Sequence, residues 1–262
     1  MKKILLVVAL VAVVFSASAW NRQQDEAVMI LASKHLTPKA KMVVDGYLGT
    51  DYADDVYNIY NLERRKRSPY STEVHYIHLD EKMQIVAGDG DDAVKTIEEA
   101  LDIIKKGTGS RHEITNAFRT IICLMCDMHC LSNVRISNIP HSQSDFDVQV
   151  QRTASGSKMK EVSRTKWSKF WGAYNGHHKG YFAELWAEEM DVCHGADYDK
   201  ITKGDLRDWA SRNGAIAADL YTRINPTNAM TRVEFLKLED LHLEMMATAG
   251  LRLAALLNNT IK

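Results

Sequence analysis

The sequence predicts an all-α protein, a single mostly helical domain with one small β-hairpin. Three observations lead there. Apolar residues recur three and four apart in Val28 and Leu31, in Val94, Ile97, Leu101 and Ile104, in Ile121, Leu124, Met128 and Leu131, and in Leu241 and Met245. That spacing is the stripe an α-helix buries. Helix start and stop signals flank several of these stripes, and the strand-like period of two is confined to the stretch from Ser137 to Lys158.

In chain order, Lys2 and Lys3, the apolar run Ile4 to Phe15 and the small residues Ala17-Ser18-Ala19 follow the layout of an export signal. Residues 1–19 are therefore expected to be a signal peptide and 20–262 the mature domain, beginning at Trp20. The apolar run is about a dozen residues, whereas a spanning helix needs about 20, so no transmembrane span is expected. Thr37 before Pro38 reads as an N-cap followed by proline in the first turn. Lys105-Lys106-Gly107 reads as a helix end, with positive charge on the last carbonyls and then glycine. Phe146, Val148 and Val150 alternate with Asp147, Gln149 and Gln151 before Ser155-Gly156-Ser157, which predicts the short hairpin. Asp205 is placed to start a helix before Trp209.

The 45% hydrophobic content is that of an ordinary globular chain, long enough for one large domain. With 33 basic and 34 acidic side chains the formal charge is −1, and loss of Lys2 and Lys3 takes it to −3. Non-specific nucleic-acid binding needs clustered Lys and Arg. A polyphosphate would thus have to be held by a metal or a local patch, and the short run Glu63 to Arg67 reads as a solvated loop. The four cysteines, Cys123, Cys126, Cys130 and Cys193, lack the dense, even spread of a disulfide scaffold.

Chemistry is concentrated on one segment. Cys123, Cys126, Asp127 and Cys130 fall along one helix stripe, so Cys123 and Asp127 could share a metal, with His75 completing the set from Val74-His75-Tyr76. Small cysteines buried on a core helix are the competing explanation. Asp51, Asp54 and Asp55 form an acidic cluster that reads equally as a solvated face. His177, His178 and His194 read as surface histidines, since adjacent helical residues point about 100° apart.

These pieces resemble the secreted zinc-dependent nucleases of the S-one/P-one type, which are related in fold to bacterial phospholipase C. The resemblance rests on Trp20 at the expected mature start, on Ala32-Ser33-Lys34-His35 leading to Leu36-Thr37-Pro38, and on Tyr52-Ala53-Asp54-Asp55-Val56. It continues through Val74-His75-Tyr76-Ile77, Cys126-Asp127-Met128-His129 and Ala249-Gly250-Leu251-Arg252-Leu253-Ala254. It implies an all-α fold and phosphodiester cleavage by three zinc ions that activate a water and stabilise transition-state charge.

Carried over residue by residue, the resemblance makes Trp20, Asp54, His75 and Asp127 zinc ligands, Asp127 as the bridging carboxylate. Asp25 and Cys123 stand where the family has histidines and remain able to bind metal. Asn133, Ser168 and Gly172 replace the other ligands, which would empty one zinc position of protein donors. A second position would keep Asp54, His75, Cys123 and Asp127, and a third Trp20, Asp25 and Asp127. The pattern needs an insertion between Ile136 and Trp167, which keeps His141 in view as a further ligand. Tyr76 and His78 match the family's base pocket, where His78 departs from the usual acid or amide.

The expectation is therefore an exported nuclease-like protein, monomeric, with fewer than three zinc ions and silent or weak catalysis. The alternative is a remodelled zinc-dependent endonuclease or 3′-nucleotidase acting on single-stranded nucleic acid. A third reading is a metal-free helical domain that contacts another exported protein.

Overall fold

The structure, a computed structural model, describes residues 20–51, 72–86, 92–153, 160–172, 182–227 and 229–262. The expected leader, Asp54 and Asp55, the run Glu63 to Arg67, the Ser155-Gly156-Ser157 turn and the pair His177 and His178 lie outside the described residues.

Helix α1 (Arg22–Lys34) starts at Asn21, whose side chain accepts the Gln24 N–H while the Gln24 side chain accepts the Asn21 N–H. Such reciprocal caps satisfy two orphan donors at once and contribute about 1 kcal/mol. Helix α2 (Pro38–Leu48) begins as its sequence predicts, with Thr37 capping the Ala40 N–H and proline in the first turn. A 3-10 turn (Thr72–His75) leads into strand β1 (Ile77–Leu79). Helix α3 (Ala93–Lys106) is capped by Asp92 and stops at Gly107, whose φ of 60° is the left-handed conformation the Lys-Lys-Gly signal anticipates.

Helix α4 (Arg111–His129) opens with a Ser110–Glu113 capping box and carries the cysteine stripe. After a 3-10 turn (Leu131–Asn133) come β2 (Val134–Ile136), β3 (Asp147–Thr153) and β4 (Lys160–Lys166). Then follow α5 (Trp167–Gly172), α6 (Ala183–His194), the single turn α7 (Tyr198–Ile201) and α8 (Leu206–Arg223), whose N-cap is the expected Asp205. Strand β5 (Ala229–Met230) and the 29-residue helix α9 (Arg232–Thr260) close the chain.

Helix α9 is the axis of the packing: α1, α4 and α6 lie against it, α3 runs beside α4, and α1 also packs on α6. The core between them holds Val28, Leu31, Ile97, Phe118, Ile121, Leu251 and Leu253, all fully buried. Burying each such side chain contributes about 1.5–3 kcal/mol. A second apolar centre is aromatic, with Trp167 stacked between Phe146 and Phe170 and in edge contact with Tyr221. Among the described residues, no helix is long and apolar enough to cross a membrane.

The strands form two small sheets. The expected hairpin is β3 against β4, antiparallel from Asp147↔Lys166 to Thr153↔Lys160, so its second arm runs to Lys166, past the Lys158 limit the alternation suggested. Strand β5 adds to it in parallel. Strands β1 and β2 pair in parallel with Ile77 opposite Val134. That pair was not anticipated, because three-residue strands with nearly every side chain buried show no alternation. It matters for the site, since it lays the segment after His75 beside the segment after Asn133.

The α1–α9 contact is close at Gly250, where an added Cβ would stand 2.9 Å from the Leu31 side chain and 3.0 Å from the Val28 carbonyl oxygen. Gly250→Ala is expected to destabilise the fold by about 1–3 kcal/mol in urea unfolding. Gly46→Ala, in α2 with nothing within 4 Å, is expected to raise stability by about 0.5–1 kcal/mol. Equal effects at the two sites would contradict this packing.

Candidate metal centre

Cys123 and Asp127 stand one turn apart on α4 and so present Sγ and a carboxylate on the same side of the helix. The turn Thr72–His75 delivers the His75 imidazole to that side. Its Nδ1 donates to Asp127 Oδ2 at 2.7 Å, and the Cys123 thiol lies 3.6 Å from the same oxygen. The nitrogen, sulfur and oxygen donors all fall within 4.8 Å of one another. Among the described residues, this is the group of three such donors close enough to hold one ion. His75 and Asp127 are buried and Cys123 is partly exposed, so the cluster has a dry floor and one side toward solvent.

The donor set fits zinc, which takes Cys, His and carboxylate ligands in a tetrahedron and, in open sites, keeps a fourth position for water. Metal–nitrogen and metal–oxygen bonds of about 2.05 Å give a tetrahedral edge of about 3.3 Å. The 2.7 Å contact between His75 and Asp127 is shorter than that edge because a proton holds it. A metal would replace this proton and spread the pair by about half an ångström, a rotamer-scale adjustment.

The other oxygen of Asp127 has a different partner. Asn133, in the turn after α4, donates its amide to Asp127 Oδ1 at 3.1 Å in a buried position. Asp127 thus faces the imidazole and thiol with one oxygen and an amide donor with the other.

The other expected ligands have the following surroundings. Asp25, in the first turn of α1, lies beside the Cys126 thiol. Burial first, and then the charges of Asp25 and Asp127, push that thiol well above its ordinary range. Trp20 is buried with its indole edge-on to His242, 6.1 Å between ring centres. Asp25 is not among the three grouped donors, and Asp54 lies outside the described residues. Ser168 donates its hydroxyl to Asp145 at 2.7 Å, Trp171 is buried among aromatic rings, and His141 donates to the Tyr221 carbonyl oxygen at 3.2 Å.

No two of the four cysteines are joined by a disulfide. Cys130 sits 3.2 Å from the Ser132 hydroxyl, and burial raises its thiol far above the usual range. Cys193 is exposed at the end of α6.

Behind the triad lies a polar group that the spacing analysis did not single out. His129, fully buried, donates Nδ1 to the Met125 carbonyl oxygen at 2.7 Å, which leaves Nε2 as an acceptor. Arg252 Nη1 donates to that nitrogen at 3.0 Å. The readable signal was an arginine in the apolar run of α9.

Compared with known proteins, the chain matches no protein-family model and no curated protein sequence.

Burial, and then the Arg252 charge, push His129 down from 6.5 to about 3. The unfolded chain therefore takes up a proton below about 6.5 that the folded chain refuses until about 3. Stability is lost as pH falls through that window, by about 1.4 kcal/mol per pH unit for one such group. His129→Gln is expected to show a shallower loss of unfolding free energy between pH 6 and 4. Parallel profiles would mean that His129 does not carry the acid sensitivity.

Proposed function

We propose that this chain is an exported helical protein of the zinc-nuclease type, with a site reduced to one metal position on His75, Cys123 and Asp127 and with silent or very weak phosphodiester chemistry. The observation that carries the reading is the division of the Asp127 carboxylate. Oδ2 faces the imidazole and thiol, whereas Oδ1, the oxygen a second cation would need, accepts the Asn133 amide. Export is read from the pattern of Lys2 through Ala19.

A zinc ion at this position would supply Lewis acidity and lower the pKa of a water in its open place. The residues work against strong use of it. A Cys123 thiolate and an Asp127 carboxylate together cancel the charge of a dication, so the centre draws a phosphate less than a histidine-rich one would. Asn133 brings a neutral amide where a second cation would neutralise the leaving oxygen. Doing without that cation costs about several kcal/mol of transition-state stabilisation, or a few powers of ten in rate. The chain's formal charge of −1 adds no general attraction for a polyanion. A single-stranded nucleic acid or a nucleotide would be held through the metal, from the partly exposed Cys123 side.

The test is elemental analysis with zinc supplied, beside thermal unfolding with and without chelator. One zinc per chain is expected, lost in Asp127→Ala. Chelator should lower stability by about 2.7 kcal/mol when free zinc had stood at a hundred times Kd. Because the Cys123 thiol must give up its proton to bind the metal, zinc affinity should fall as pH drops below about 8.5, the ordinary thiol range. A metal-free protein indifferent to chelator would leave the triad a structural hydrogen-bond cluster. Single-strand cleavage above background that disappears in Asp127→Ala would replace the silent reading with a weak hydrolase.

A further inference from the structure

Four helices, α4, α7, α8 and α9, meet at one buried guanidinium. Arg252, in the last third of α9 and only 5% exposed, donates Nε to the Ile201 carbonyl oxygen at 3.1 Å. Its Nη1 donates to His129 Nε2 at 3.0 Å and to Asn213 Oδ1 at 3.2 Å, and the group lies 5.4 Å from the centre of the Trp209 ring. Each of these acceptors is neutral, so the contacts do not offset burial by ion pairing; they hold the planar fork in one orientation.

Both intermediaries end on α4. His129 Nδ1 donates to the Met125 carbonyl oxygen at 2.7 Å, and Asn213 Nδ2 donates to the Met128 carbonyl oxygen at 2.9 Å. Met128 is in the last turn of α4, where helical carbonyls lack helical partners and fraying begins. Asp127 stands in that same turn, while Cys123 stands one turn deeper. If the last turn loosened, Asp127 would move relative to both Cys123 and His75.

We propose that Arg252 is a positioning residue for the metal centre: through His129 and Asn213 it pins the last turns of α4 and thereby sets the spacing of Asp127 against Cys123 and His75. This rests on the reading of the triad as a metal site. Lysine cannot replace the fork, since a single ammonium cannot reproduce its planar bonds to His129, Asn213 and Ile201.

Cobalt(II) titration of the whole chain tests it, because the thiolate charge-transfer band reports Cys123 coordination apart from global stability. The wild type is expected to bind one cobalt with that band. Arg252→Lys and Asn213→Leu should each weaken binding about 10-fold and diminish the band. Leu238→Ala, a core truncation on the same helix about 21 Å away along its axis, should lower stability yet keep affinity and spectrum. Unchanged affinity and spectrum in both polar variants would overturn the positioning role, as would an equal loss in Leu238→Ala. If the wild type shows no cobalt–thiolate band, the metal reading itself fails and this inference with it.

Discussion

Helix α4 ends inside the protein, and a helix end shut away from water must find partners for its last carbonyls. From Leu124 to Asn133 every residue is buried. The Cys130 N–H takes the carbonyls of Cys126 and Asp127, Asn213 takes that of Met128, and the Tyr221 hydroxyl reaches Leu131 and Val134 just beyond. Both Asn213 and Tyr221 come from α8, and Arg252 comes from α9. Satisfying one helix terminus therefore dictates where two other helices lie. An exposed terminus would have been served by water and would have imposed no such order.

The same requirement shapes the candidate centre. Asp127 sits in the terminal turn, so whatever orders that turn also orders its carboxylate. With one oxygen toward His75 and the other toward Asn133, the carboxylate is held from two sides by segments that the parallel β1–β2 pair sets side by side. The resulting donor set is small, partly anionic and open on the Cys123 side. Such a set suits binding one soft-to-borderline cation better than gathering several around a phosphate.

Legibility varied with the range of the interaction. The caps at Thr37 and Asp205 and the glycine stop at Gly107 are contacts within a few residues, and their chemistry is written locally. The first arm of the hairpin was legible because one side of the sheet is apolar, as Phe146 and Val148 are, while its second arm, Lys160–Lys166, is polar and carries little alternation. At the site, Cys123 and Asp127 were legible as an i, i+4 pair, and His75 as a histidine able to join them. Asn133 was recognised only as a missing histidine, and its role as a donor to Asp127 depends on the turn that follows α4.

By itself, then, the sequence determined the helical class, the main caps and stops, and the one-turn spacing of thiol and carboxylate, because helical periodicity and capping act over three to four residues. Only the tertiary structure decided that His75, 52 residues away in the chain, meets Asp127, that Asp25 turns to Cys126, and that Arg252 stands behind the cluster. Those outcomes follow from how α1, α4, α8 and α9 share one core. The energy that sets such packing is burial, which depends on total shape and volume and leaves no short motif in the chain.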